Sequence, residues 1–310
     1  MSITRHLAEL MLIEHRNCRI GGEVLLLGRQ VVWMTIAEAE ALVDRVGIAQ
    51  PAGAFRELSR IPNSGRDDLI SDVSFFSLFT DAVVKACDVS DHEAADFIFN
   101  LAEGIPDALL GRFDFIYNGS VLDNVFDPVA CIRNVSRMLK PEGLVFGYEG
   151  IAHAGAAYLK FSPEWFFDYY ALNGFGDCQT YVATFDDVHL DSFDMYEWSA
   201  FTKYGLAQPL KIANDALVVC FAQNAPSATW DKSPIQGVYR SGDHAAYRAA
   251  FDRYAASPRQ KYLADGFPAL QPSLVRAPGL VGLLGKRIPA ERPPVADGHR
   301  YLGRLGAPRR

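Results

Sequence analysis

Between residues 20 and 223 the apolar residues gather into short runs separated by polar turns. Five runs are continuous rather than alternating: Glu23–Gly28 (EVLLLG), Ala82–Cys87, Ala95–Leu101, Phe113–Tyr117 and Leu144–Tyr148. Continuous Val-, Ile- and Phe-rich runs of this length are the pattern of parallel strands buried on both faces. Two more strand-like runs, Gln179–Phe185 and Ala216–Gln223, fit an antiparallel pair that completes the same sheet.

Helical spacing fills the intervals. Ile3, Leu7, Leu10, Met11 and Ile13 recur at the period of a helix lying against the domain. Thr35 followed by Glu38 is a capping-box start for a helix over 35–46, which Gly47 stops. Asp127-Pro128 opens a helix that runs to Lys140, with Pro128 where a missing N–H costs nothing. Ser162-Pro163-Glu164 repeats this start ahead of Trp165, Phe166, Phe167, Tyr169 and Tyr170, an aromatic set at core spacing. Residues 48–68 carry Pro51, Gly53, Pro62 and Gly65 and read as a long loop, within an inserted loop and helix over 48–80. A short helix over 70–79 would turn Phe75, Phe76 and Phe79 inward. The pattern predicts an α/β domain over 1–224 and a C-terminal extension over 225–310. That extension has one helix at His244–Ala256 and an irregular, locally basic tail from 267.

Composition narrows the partners. Hydrophobic residues make up 49% and charged residues 22% of the 310, with a net charge of −7. That balance is ordinary for a soluble globular protein and gives no reason to expect nucleic acid or an anionic membrane. Cys18, Cys87, Cys131, Cys178 and Cys220 lack CxxC spacing and read as free thiols of a cytoplasmic protein, with no metal site. The N-terminal stretch reads as an amphipathic helix rather than a signal peptide, and no apolar run reaches membrane-span length.

In an open parallel sheet, ligands sit beyond the carboxyl ends of the strands. The polar residues closing these strands, Asp88 and Asn118-Gly119, are therefore the first candidates for a site. The segment FDFIYNGSVLDNVFDPVACIRNVSRMLKPEGLVFG adds a resemblance. Through Phe113-Asp114, Leu122, Val125, Leu139-Lys140-Pro141 and Gly143 it is similar to the fourth strand, connecting helix and fifth strand of class I S-adenosylmethionine-dependent methyltransferases. The run HAGAAYLKFSPEWFFDYYALNGF also resembles a bacterial branch of that superfamily. Together these cover roughly residues 20–223. The resemblance implies a doubly wound, mostly parallel seven-stranded sheet of Rossmann type and S-adenosylmethionine as cofactor. It also implies methyl transfer to a hydroxyl or amine of a small molecule or a glycan-linked sugar.

On this resemblance Asp88 would take the ribose hydroxyls, a task suited to two carboxylate oxygens. Asn100-Leu101 would meet the adenine, and Asn118-Gly119 would lie near the methionine part. Gly28 would let the cofactor approach the first loop, with Arg29 and Gln30 near its carboxylate. Asp123 and His153 are the candidate bases; Tyr158 and Lys160 lie beside them. The sequence departs from the family pattern in the first loop, where only Gly28 remains of the glycine series, Leu26 holds the acidic position, and Arg29-Gln30 replace small residues. Asp123-Asn124 stands where a Glu-His pair is expected. These departures keep open a non-catalytic binding or scaffold protein. A nicotinamide-dependent oxidoreductase is disfavoured, since no GxGxxG follows the first strand.

Overall fold

The computed structural model describes residues 2–61, 66–152, 157–185, 192–199, 201–202, 205–206, 215–236, 239, 244–266 and 300–306. Its centre is a nine-stranded sheet. In chain order the strands are β1 (Glu23–Leu27), β2 (Val83–Asp88), β3 (Phe97–Ile98), β4 (Phe113–Gly119), β5 (Leu139–Ala152), β6 (Asp177–Phe185), β7 (Ser192–Glu197), β8 (Asp215–Gln223) and β9 (Arg300–Gly306). Across the sheet they run β3-β2-β1-β4-β5-β8-β6-β7-β9. Strands β3 to β5 pair in parallel; β8 is antiparallel to both β5 and β6.

The continuous apolar runs work because both faces are covered. Val24 and Leu26 of β1 belong to one core, with residues of α1 (Arg5–Asn17), α2 (Ile36–Val46) and α3 (Asp72–Ser77). Leu25 and Leu27 belong to the other, with residues of α4 (Pro128–Met138), α5 (Pro163–Leu172) and α6 (His244–Ala255). Strand β8 divides the same way, Val219 and Phe221 against Val218 and Cys220. Phe221 stacks on Phe146 of β5 with centroids 4.2 Å apart. The sheet is thus doubly wound. No described helix is long and apolar enough to cross a membrane.

Local expectations meet the structure closely at the helix starts. Thr35 and Glu38 form the reciprocal capping box, Thr35 N–H donating to Glu38 Oε2 at 2.8 Å, and Gly47 closes α2 at φ 79°. Thr35→Ala is expected to cost about 1 kcal/mol, read from the urea midpoint. Asp127 accepts from Ala130 N–H at 3.0 Å with Pro128 in the first turn. Phe75, Phe76 and Phe79 are buried as expected.

Four expectations are corrected. The third strand shrinks from Ala95–Leu101 to Phe97–Ile98, because Asp96 turns its side chain back to Ala86 N–H and Asn100 starts a turn by accepting from Ala102 N–H. Helix α4 ends at Met138 rather than Lys140, since Leu139 already pairs opposite Phe113. Seven strands become nine, with β7 and β9 added beyond β6. The tail is not irregular throughout: Arg300–Gly306 forms an edge strand on β7.

The segment after β8 is tied to α1 and β6 by buried charge. Arg259, on α7 (Pro258–Gly266), is 3% exposed and donates to Glu14 of α1 at 3.0–3.2 Å and to Asp177 of β6. Tyr262 O–H donates to Glu14 at 2.6 Å.

Candidate functional site

The strand order reverses between β1 and β4: the chain proceeds to β2 and β3 on one side and to β4 and β5 on the other. At such a switch point the loops leaving the two strands part and open a crevice beyond their carboxyl ends. Gly28 leaves β1 at φ 72°, where a side chain would be strained, and donates its N–H to Cys87 O of β2 at 2.7 Å. Gly119 ends β4.

Asp88 ends β2 beside Ile98 of β3. One of its oxygens, Oδ1, accepts from Ser90 N–H at 3.1 Å; Oδ2 makes no hydrogen bond among the described residues. Apolar surface flanks it, with Val89 70% and Ile98 48% exposed. Asn100 lies next along but is engaged locally, donating to Glu103 at 3.0 Å and accepting from Ala102 N–H at 3.0 Å. The Leu101 side chain packs into the core, and its carbonyl accepts from Asn134 at 2.9 Å. Arg29 reaches away from β4. It donates to Asp96 at 3.0 Å and Ala94 O at 3.4 Å, with Asp72 Oδ1 at 3.8 Å.

Across the crevice a polar network is buried under the β4 and β5 ends. Asn118 donates to Glu149 Oε1 at 2.6 Å and accepts from Val121 N–H at 3.1 Å. Glu149 also accepts from Leu122 N–H and Asp123 N–H, each at 3.0 Å. Burial, and secondarily the charge of Asp123, push the Glu149 carboxyl well above the usual carboxylate range despite those three donors. Asp123 accepts from Ser120 O–H at 2.7 Å and Asn124 at 2.6 Å. Ser120 sits at φ 65°, an uncommon backbone state for a residue with a side chain. A Cβ on Gly150 would lie 3.3 Å from Lys160 Nζ and 3.6 Å from Asp123 Oδ2, so amine and carboxylate face one small volume. Outside it, Phe126 and Tyr158 are 94% and 74% exposed and meet edge to face at 6.4 Å.

The structure thus gathers Gly28, Asp88, Asn118 and Gly119 along one edge and links Asp123 to them through Glu149. Arg29 and Leu101 point elsewhere. His153 lies outside the described residues. One residue of consequence, Glu149, was not singled out as a polar anchor. Glu149 carries a signal, a carboxylate inside the apolar run VFGYEGIA. Gln30, expected near the cofactor carboxylate, is instead held within its own loop. Its side chain is fully buried and donates to Leu27 O and Gly28 O, both at 2.9 Å. A Cβ on Gly119 would overlap Gln30 Oε1 and come within 2.8 Å of its Cδ. Two larger cavities lie elsewhere, one of about 470 Å³ at the amino ends of β1 and β4 and one of about 360 Å³ between α4, α5 and residues 232–236, while a small one of about 20 Å³ is lined by Asn118 and Leu122.

No protein-family model matches the chain, and no curated protein sequence matches it. Solved structures do. Over 70% of its length the chain is similar to 88% of an S-adenosylmethionine-dependent methyltransferase, possibly a histamine N-methyltransferase, from Thermotoga maritima, at 15% identity and TM-score 0.38. Over 71% it is similar to 78% of the 1,6-didemethyltoxoflavin-N1-methyltransferase of Burkholderia thailandensis, at 15% identity and TM-score 0.35; that structure holds 1,6-didemethyltoxoflavin and S-adenosylhomocysteine. A protein of Rhodobacter sphaeroides described as a Zn-dependent alcohol dehydrogenase matches over 47% of this chain, at 12% identity and TM-score 0.27. The match spans less than half of that protein, 46%. The fold is the doubly wound α/β sheet of Rossmann type expected from the sequence. Its basis is the strand order of the doubly wound sheet, with β8 antiparallel between β5 and β6.

Proposed function

We propose that this chain is a methyltransferase-like protein whose carboxyl-edge site recognises S-adenosylmethionine through its nucleoside. Methyl transfer to a hydroxyl or amine of a small molecule or glycan-linked sugar is the activity this scaffold serves. The observation that carries the proposal is Asp88. Its Oδ2 is uncommitted, it closes β2 one strand from the switch point, and exposed Val89 and Ile98 flank it. A carboxylate with a free oxygen suits vicinal hydroxyl donors, and the apolar flanks suit a planar base. On the acceptor side, the exposed Phe126–Tyr158 pair offers ring faces to a sugar or a flat small molecule, with Asp123 and Lys160 behind it.

The two halves of the cofactor differ in fit. The nucleoside half fits the Asp88 end. The methionine half does not fit the arrangement described, because Gln30 fills the space over Gly119. That observation favours a second reading, a non-catalytic protein that binds a ligand or partner on the same edge. The buried thiols Cys87, Cys131, Cys178 and Cys220 support a cytoplasmic setting.

Calorimetry separates the readings. S-adenosylmethionine and S-adenosylhomocysteine are expected to bind, and Asp88→Ala to weaken both about tenfold, the usual scale for losing a charged hydrogen-bond partner. Unchanged affinity in Asp88→Ala would remove the ribose assignment.

A further inference from the structure

Gln30 has an unusual hydrogen-bond balance. Its amide nitrogen is satisfied twice, by Leu27 O and Gly28 O, yet its Oε1 is buried with no partner. That oxygen points at Gly119, across the gap that a ligand entering between β1 and β4 would cross. Its backbone is held independently: Gln30 N–H donates to Asp72 Oδ2 at 3.0 Å. Moving the side chain therefore need not move the loop. The two amide bonds hold the side chain in place, while the orphaned acceptor penalises it for staying there. A group balanced in this way is easily displaced by a ligand that needs its space.

We propose that Gln30 is a latch over the amino-acid half of the crevice. Closed, it admits a nucleoside whose 5′ substituent is small; displaced, it admits a ligand carrying a full amino-acid chain at that position. The latch rests on the reading of the edge as a nucleoside site. It sets which adenosyl compounds the site takes, rather than whether it takes adenosine. Gly119 is the matching element on the opposite wall, since any larger residue there would collide with the closed latch.

Titrations of the full chain with two probes test this. 5′-Methylthioadenosine carries the nucleoside without the amino acid, and S-adenosylhomocysteine carries both. When the competent state is a minority, apparent affinity falls by its population, so removing a latch open a tenth of the time or less raises affinity about tenfold or more. Gln30→Ala is expected to tighten S-adenosylhomocysteine by at least that factor and leave 5′-methylthioadenosine within about twofold. Gln30→Met keeps the volume but loses both amide hydrogen bonds, and is expected to tighten S-adenosylhomocysteine less than Gln30→Ala does; Gln30→Gly repeats the test should the alanine variant fail to fold. Equal S-adenosylhomocysteine affinity in the parent and the shortened variants, absence of binding in all of them included, overturns the latch. A failure of 5′-methylthioadenosine to bind any form instead overturns the nucleoside reading, so the two failures are told apart.

Discussion

Arg259→Ala should destabilise the fold by about 3–5 kcal/mol, the range for removing one partner of a buried ion pair. The side chain lies between two carboxylates buried as deeply as itself, Glu14 at 0% and Asp177 at 4% exposure. Removing the guanidinium leaves both without their counter-charge in a place where water cannot replace it. Tyr262 and Ser257 would still donate to Glu14 and Asp177, at 2.6 and 2.7 Å, but neither carries charge. Urea denaturation of parent and variant reads the loss. Replacing Arg259, Glu14 and Asp177 together by apolar residues of similar volume should cost far less, because no buried charge is then stranded. A small effect for Arg259→Ala would mean that α7 is not anchored through this network.

Glu149→Ala should cost about 3 kcal/mol or more, since Asn118 Nδ2, Leu122 N–H and Asp123 N–H all lose their acceptor. The pH dependence provides a second readout. The folded chain holds the Glu149 proton to higher pH than the unfolded chain does, because burial and then Asp123 raise its pKa. Folded protein therefore binds more protons than unfolded protein above the ordinary carboxyl range. Glu149 weighs least against the fold below about pH 4.3, the unfolded value, and stability falls as pH rises from there through the folded value. Glu149→Gln removes the titration and should flatten that part of the urea-stability profile. A slope unchanged in the glutamine variant would assign it to another group.

Much of the architecture was legible because it rests on local pattern. Val24–Leu27, Phe115–Tyr117 and Val218–Ala222 are apolar on consecutive residues, and only burial on both faces of a sheet gives every one of them a place. Thr35, Asp127 and Gly47 act within one helical turn of their own position, so their roles can be read from neighbours alone. The Arg259–Glu14 bond joins residues 245 apart, and no periodicity reports a contact of that range. Strand β9 pairs at a sheet edge, where a strand needs no two-sided apolar run.

The site divides along the same line. Asp88, Asn118 and Gly119 were visible because they close apolar runs, and strand ends are where an open sheet exposes chemistry. The Gln30 latch was not visible. Its aim across the crevice follows from the left-handed turn at Gly28 and from Asp72 fixing its backbone, a residue 42 positions away. The first loop keeps Gly28 alone, and where the sequence has the long polar Gln30 the structure has that side chain filling the space over Gly119.

The central claim is that the carboxyl edge is an adenosyl site with Asp88 at the ribose. Its most direct test is isothermal calorimetry of the parent chain and Asp88→Ala with 5′-methylthioadenosine, which does not require Gln30 to move. The account predicts saturable binding by the parent chain, weakened about tenfold in the variant. No heat of binding at millimolar ligand, or equal affinity in the two proteins, would contradict it.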